Sequence, residues 1–548
     1  MTTTPQPIHA SPSTSIPERP LSAPPLPRAR DIPTDFKSSL SAWWSTSSYK
    51  EARLAEERLL RRMAAFEPSS VPAQQISKGW FGSSPSNKQT TNNDLPETEI
   101  GQIKEPLPIS STGLVATLRN VFIPTPNPTL APQHPADPRD ITPGSATSSS
   151  TDLSGASASA STKEKKKHHH KCNKGEEQGK MVDFINTLEI TKPQDKDNKE
   201  AVVVLHGYAA ALGFFFRNWE SISLSSSSTG RRTFFLDWLG MGLSSRPSPS
   251  LLNSPSNTPI PSRVSRAEHF FVSSLESWRE SVGVEKMILV GHSLGGYLAS
   301  AYSVRYPERV KGLILLSPAG IPHGPEYVRY PLTSELTSRD NVQTQTRSPP
   351  ETPQELDDAT DAAEAELNSG PQGEAKEWAK RREESFVRRN MMKFFTWGWE
   401  RGMSPFSILR SVGPFGPLWV GKYSSRRFAA QSEDDVRDLH SYIYGTSIMK
   451  GSGEYCISHI LAPGAYARIP IIDRINRLKV PVTFMYGDND WMDVKGGEDS
   501  VKLLEESGNT QSSCHVIPKA GHHLYLDNPD YTNKLIDKAI KAIPKELS

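Results

Sequence analysis

Four short apolar runs constrain this chain more than any other feature: Val202–Leu205 (VVVL), Thr233–Asp237 (TFFLD), Met287–Val290 (MILV) and Leu313–Leu316 (LILL). None of them alternates polar with apolar residues. Each therefore needs apolar cover on both faces, the condition of parallel strands wrapped by helices. Helical patterns separate the runs, notably His269–Val282 and Gly295–Tyr306. The expected fold class is α/β, with a mostly parallel, doubly wound central sheet. Upstream, Gly113–Phe122 and Val182–Ile190 read as the two strands of an opening hairpin parted by a long loop. Downstream, the pattern resumes at Val482–Tyr486, with a last strand near Ser513–Ile517 and a closing helix over Pro529–Ile543.

This sheet accounts for only part of the 548 residues, and composition argues against packed structure in the rest. Hydrophobic residues make up 35%, and the 46 prolines and 36 glycines concentrate in a few stretches. One domain interrupted by disordered tracts is expected. Residues 1–37 read as a disordered tail, 38–66 as an amphipathic helix, and 67–330 as the first part of the core, with a disordered insertion at 123–180. Residues 331–385 are polar and acidic, 386–470 recover aromatics in helical segments, and 471–548 complete the core. An insertion at the carboxyl edge of such a sheet sits over the ligand crevice, so 386–470 is expected to be a helical cap. The helix at 38–66 carries Trp43 and Trp44 before an Ala-, Leu-, Glu- and Arg-rich stretch. It reads either as docked on the core or as lying in a membrane interface.

The remaining features exclude whole classes. A net charge of +2 excludes a strongly basic nucleic-acid binder. Cys172, Cys456 and Cys514 are too scattered for a disulfide framework or a zinc ribbon, which fits a reducing compartment. No apolar run reaches the length of a membrane-spanning helix. The tail lacks the apolar segment of a secretory signal. Arg19, Arg28 and Arg30 give it some mitochondrial-presequence character, which Glu18, Asp31 and the prolines oppose. His168, His169 and His170 could bind a metal, but their Lys-rich setting reads as a solvated insertion, and no metal site is expected.

Between MILV and the next helix stands Gly291-His292-Ser293-Leu294-Gly295, a G-x-S-x-G segment in the strand–turn–helix context that the motif requires. The turn raises Ser293 above the sheet as a nucleophile, and the following helix aims its positive end at a developing oxyanion. The oxyanion donors expected are the N–H of Leu294 and that of Tyr208, which follows Gly207 directly after VVVL. His206 in the same loop reads as structural. The order Ser…Asp/Glu…His places an acid after VTFMY and a histidine after the last strand. His522, next to Gly521, is the expected base, with His523 beside it. Asp490 and Asp493 both stand as candidate acids, and Asp488 reads as a turn residue.

Several segments together resemble the alpha/beta-hydrolase lipid enzymes: HGYAA, DWLGMGLSSRP, GHSLGGYLASAYSVRYPERVKGLILLSPAGIP, GPFGPLWVGKYSSRRF, GAYARIP, YGDNDWMD and GHHLYLDNP. Within that family the chain is similar to the fungal cardiolipin-specific deacylase and lysophosphatidic-acid acyltransferase branch. Its animal relatives are N-acyl-phospholipid lipases and a lipase coactivator that lacks the serine. The resemblance implies an alpha/beta-hydrolase fold and deacylation of phospholipid or lysophospholipid through an acyl-serine. Transacylation with acyl-CoA is also implied, without metal or organic cofactor. It further implies peripheral membrane association, at the mitochondrial inner membrane or on the cytoplasmic side at a lipid droplet. A non-catalytic regulator and a small-molecule carboxylesterase are the alternatives. In the relatives the acid lies in a W-I-D segment, which matches Trp491-Met492-Asp493, and an H-x-x-x-x-D pattern spans His522 to Asp527. Asp527-Asn528-Pro529 also precedes a helix, so Asp527 reads as a helix-start residue, with Asn528 as cap.

Overall fold

The structure, a computed structural model, describes residues 26–46, 48–63, 112–135, 181–252, 254, 258–325, 386–429 and 431–545. Of the insertion expected to be disordered at 123–180, residues 136–180 lie outside these residues, as do 331–385, Cys172, His168, His169 and His170. Its first part differs from the expectation: the strand that begins at Val115 runs on to Pro124, and Pro128–Leu130 form a 3₁₀ turn capped by the Asn127 side chain through Thr129 N–H. Eight strands form one sheet: β1 (Val115–Pro124), β2 (Met181–Thr191), β3 (Glu200–Leu205), β4 (Arg232–Leu236), β5 (Lys286–His292), β6 (Val310–Leu316), β7 (Val482–Gly487) and β8 (Ser513–Ile517). Their order is β1-β2-β4-β3-β5-β6-β7-β8. β1 and β2 form the antiparallel hairpin, β2 meets β4 antiparallel, and every later pairing is parallel. The helices are α1 (Phe36–Ser45), α2 (Ser48–Arg61), α3 (Trp219–Ser228), α4 (Ile260–Ser281), α5 (Leu294–Arg305), α6 (Phe386–Glu400), α7 (Pro405–Ser411), α8 (Phe415–Arg427), α9 (Glu433–Ser447), α10 (Val494–Glu506) and α11 (Pro529–Ala542).

The unbroken apolar runs divide their side chains between two cores. Ala201, Val203 and Leu205 of β3, Leu289 of β5 and Leu313 and Leu315 of β6 pack with Phe271 and Trp278 of α4 and Leu298 and Tyr302 of α5. The alternate residues Val202, Val204, Ile288, Val290, Ile314 and Leu316 face Trp219 and Ile222 of α3 and Ile536 and Ile540 of α11. The runs within these parallel strands are thus apolar without alternation because both faces of the sheet are covered there.

Two helices differ from the sequence expectation. α4 starts at Ile260 rather than near His269. Pro261 fits its first turn, where a missing N–H costs nothing, and Val264 and Ala267 are buried ahead of the aromatic stretch. The single helix expected over 38–66 is two. α1 opens on an Asp35–Ser38 capping box and closes at Thr46. There the hydroxyls of Ser45 and Thr46 donate to the Ser41 and Ala42 carbonyls, the local bonding by which Ser and Thr weaken helices. Residues 26–35, expected as tail, are placed against the fold, where Arg58 donates to the Pro27 carbonyl at 3.0 Å.

α2 buries Ala52, Ala55, Leu59 and Leu60, together with Arg53 and Glu56. Arg53 donates to Glu56 at 2.7 Å and to the Asn186 side chain at 2.6 Å, and the Tyr442 hydroxyl of α9 donates to Glu56 at 2.9 Å. Burial pushes the Glu56 carboxyl up from 4.5 to about 7, with Arg53 acting in the opposite sense. The folded chain therefore keeps a proton there that the unfolded chain releases. The contribution of this group to stability is full below pH 4.5 and is lost as pH rises through about 7. Glu56→Gln should flatten the decline in melting temperature between about pH 5 and about pH 8. An unchanged slope would mean that Glu56 folds ionised.

Candidate active site

At the end of β5 the chain turns sharply into α5, and Ser293 occupies the turn with φ 51° and ψ −119°. Its N–H donates to the Leu316 carbonyl at 2.9 Å, and its carbonyl accepts from Ala319 at 3.1 Å, so both neighbours of the turn are pinned to β6 and its exit loop. The flanking glycines are steric necessities. A β-carbon on Gly291 would lie 2.6 Å from the Gly295 carbonyl oxygen, and one on Gly295 would lie 2.5 Å from the carbonyl oxygens of Leu205 and His206. Gly207 comes equally close, since a β-carbon there would meet Ser293 Cβ at 2.9 Å. The loop after β3 therefore passes directly against the serine. Leu294 opens α5 at its positive end, where backbone N–H groups lack helical acceptors.

The Gly207–Tyr208 loop is fixed from behind by a residue that sequence reading missed. Asp237, fully buried at the end of β4, accepts from Leu212 N–H at 2.7 Å, Leu243 N–H at 2.8 Å and the Asn186 amide at 2.9 Å. His206 is structural: its Nε2 accepts from Trp238 N–H at 3.1 Å, and Trp238 Nε1 donates to its carbonyl at 2.9 Å. Burial holds its imidazole below the usual histidine range. The Tyr208 ring points into the cap, edge-on to Phe406 with centroids 5.5 Å apart.

Three carboxylates hold the loop that carries His522. Asp488 accepts from Lys519 N–H at 2.8 Å and Ala520 N–H at 3.0 Å. Asp527 accepts from Gly521 N–H at 3.0 Å and pairs with Arg427 of α8 at 2.9 Å. Asp490 lies 3.1 Å from His522 Nδ1, both side chains being at most 5% exposed. A carboxylate at Nδ1 holds the proton there and leaves Nε2 with its lone pair. The fourth acid does something else: Asp493 caps α10, accepting from Lys495 N–H at 2.9 Å. Trp491, read with Asp493 as part of one motif, packs on the His522 ring with centroids 5.0 Å apart. Asp527 is not a helix-start residue either. It ends a one-turn helix, Leu524–Asp527, while Asn528 caps α11 through Tyr531 N–H and Pro529 is its first residue. His292 Nε2 lies 3.0 Å from the His522 carbonyl, which ties the Ser293 turn to the His522 loop. His523 stacks on Phe214, with centroids 6.2 Å apart.

A cavity of about 360 Å³ joins these parts, within the range of small-ligand sites. Ser293, Leu294, Tyr208, His522 and His523 line its floor, and Phe394, Phe395, Trp399, Met403, Ile408, Ile457 and Leu461 line its walls. The walls come from α6, α7 and the segment around the one-turn helix Ile457–Ile460, and they are almost wholly apolar. An extended hydrocarbon chain fits such walls, whereas a charged group would lose its hydration there.

Residues 200–401 match the family model described as alpha/beta hydrolase fold. The chain is 30% identical to a probable 1-acylglycerol-3-phosphate O-acyltransferase of Oryza sativa subsp. japonica, over 63% of this chain and 67% of the relative. It is 31% identical to a (lyso)-N-acylphosphatidylethanolamine lipase of Mus musculus, over 64% of this chain and 82% of the relative. It is 28% identical to the Homo sapiens 1-acylglycerol-3-phosphate O-acyltransferase ABHD5, over 63% of this chain and 79% of the relative.

Proposed function

Since the chain belongs to the alpha/beta hydrolase family, with relatives named for lipid substrates, we propose that it is a serine hydrolase that cleaves acyl esters of phospholipids. The observation that carries this reading is the apolar cavity whose floor holds Ser293 and His522, with Asp490 behind the imidazole. Ser293 Oγ attacks the ester carbonyl while His522 Nε2 takes its proton, and Asp490 stabilises the imidazolium. The Leu294 and Tyr208 amides receive the oxyanion. Collapse breaks the acyl–oxygen bond, His522 returns the proton to the departing lysophospholipid, and the acyl group stays on Ser293. Water activated by the same histidine then releases the fatty acid. The cavity walls hold the acyl chain, leaving the headgroup outside. Cardiolipin, named by the sequence resemblance, is the most specific substrate within this reading, and a strain lacking the chain should accumulate its unremodelled acyl forms.

A second outcome of the same acyl-serine follows from the acyltransferase names of two relatives: the hydroxyl of lysophosphatidic acid replaces water, with acyl-CoA as donor and its thiol as leaving group. A fluorophosphonate probe tests the shared first step. It should label the full-length chain and fail to label Ser293→Ala, and fatty acid should be released from phosphatidylcholine or cardiolipin. An unlabelled wild-type chain would favour a non-catalytic regulator instead. Labelling with hydrolysis of only short soluble esters would point to a small-molecule carboxylesterase.

A further inference from the structure

The C-terminal end of α8 reaches both chain neighbours of His522. On one side Arg427 pairs with Asp527 Oδ1 at 2.9 Å, and Asp527 Oδ2 accepts from Gly521 N–H at 3.0 Å. On the other side Phe428, the residue that ends the helix, meets Phe214 edge-on with ring centroids 6.2 Å apart. Phe214 in turn stacks on His523 at the same separation. One turn before Arg427, Tyr423 of the same helix lines the cavity, and so does Phe214. A helix that walls the pocket therefore grips the loop of the base on either side of His522.

Stability does not account for the ion pair, since one near the surface contributes little. Its geometry is more informative. Asp488 and His292 also tie this loop, but their bonds stay within the core. Asp527 spends one oxygen on the loop and the other on the cap. The H-x-x-x-x-D spacing has a local source here: the one-turn helix Leu524–Asp527 doubles the chain back and brings the carboxylate against the N–H that precedes His522.

We propose that Arg427 and Asp527 are positioning residues that couple the seating of the cap to the placement of His522, an inference that rests on the serine-hydrolase reading for its kinetic consequence. With an acyl chain against Tyr423 and Phe214, α8 stays down, Arg427 keeps Asp527 turned to Gly521, and the imidazole stays on Asp490. With the cap displaced, the carboxylate loses its partner and the loop relaxes. Proton transfer then slows more than binding weakens, because a small misplacement of a base is costly. Binding of the acyl chain is thereby expressed in kcat. Asp527 takes no proton in this scheme and touches no substrate.

Steady-state kinetics of the full chain on p-nitrophenyl decanoate and p-nitrophenyl acetate, together with hydrogen exchange of the Gly521–His523 amides without substrate, test the proposal. Arg427→Met should lower kcat on the decanoate by about tenfold with KM within about twofold, and Asp527→Ala, which removes both bonds, by about a hundredfold. The double variant should be no slower than Asp527→Ala alone, and Arg427→Lys should recover most of the rate. Losses should be smaller on the acetate, whose acyl group is too short to hold the cap. Exchange should quicken by about tenfold in Arg427→Met while the melting temperature moves by no more than about 4 °C. Equal losses on both esters, a change in KM alone, or unaltered exchange would overturn the proposal. So would a loss in Asp527→Ala confined to acyl transfer onto lysophosphatidic acid, which would assign the carboxylate to the acceptor hydroxyl. Exchange is read without catalysis: a wild type that hydrolyses neither ester while Arg427→Met still loosens the loop would sink the hydrolase reading and leave the coupling in place.

Discussion

If Ser293 is the nucleophile proposed above, Ser293→Ala should lower ester hydrolysis by about 10⁴-fold or more, because a nucleophile, base and acid that act as a unit lose nearly all their joint contribution when one is removed. The substitution isolates chemistry from folding. Ser293 already occupies φ 51°, and alanine has the same β-carbon, so the strain of the turn is unchanged. The hydroxyl lines the cavity rather than the core. Melting should therefore shift by no more than about 0.5 kcal/mol in stability. Activity on a soluble ester, measured against a fluorophosphonate-inhibited wild type, checks the loss. A variant retaining more than about one per cent of the rate would require another nucleophile.

The parallel centre of the sheet was legible in the sequence because strands buried on both faces leave an unmistakable apolar run, and β3, β4, β5 and β6 lie within a few residues of the four runs. The sharp turn at Ser293 was legible for a related reason. Backbones that approach to 2.5 Å of a would-be β-carbon admit only glycine, and two such glycines bracket Ser293. What stayed hidden lies where contacts join distant segments. Nothing in DWLGMG announces that Asp237 will fasten the loop after β3, because its partners at 186 and 212 come from other segments and only Leu243 is local. The cavity walls were equally opaque: Trp399, Met403, Ile408 and Leu461 look like ordinary helix and loop residues until the cap folds over Ser293. The pattern of α1 left open whether the helix docks on the core or lies in a membrane interface, and only the burial of Ser39 shows which face turns inward.

The acid is where local spacing and family pattern disagreed, and the two aspartates now have different surroundings. Asp490 Oδ1 accepts from Met492 N–H at 3.0 Å while lying 3.1 Å from His522 Nδ1. Asp490→Asn keeps the shape of the side chain but removes the negative charge that fixes the proton on Nδ1 and stabilises the imidazolium formed when His522 takes the serine proton. The expected loss is about 10⁴-fold in kcat, the size seen when a serine protease loses the same charge. Asp493→Asn meets a different requirement. Asparagine caps a helix about as well as aspartate, so the bond from Lys495 survives and stability should change by no more than a few tenths of a kcal/mol. With Asp493 directed at its own helix, kcat should fall by no more than about twofold, a surface carboxylate contributing little through screened charge. Steady-state rates of both variants on one soluble ester decide the matter. A large loss in Asp493→Asn with Asp490→Asn near wild type would return the role to the W-x-D acid and require the loop over residues 488–493 to rearrange when substrate binds. Mild losses in both would move the acid to another strand.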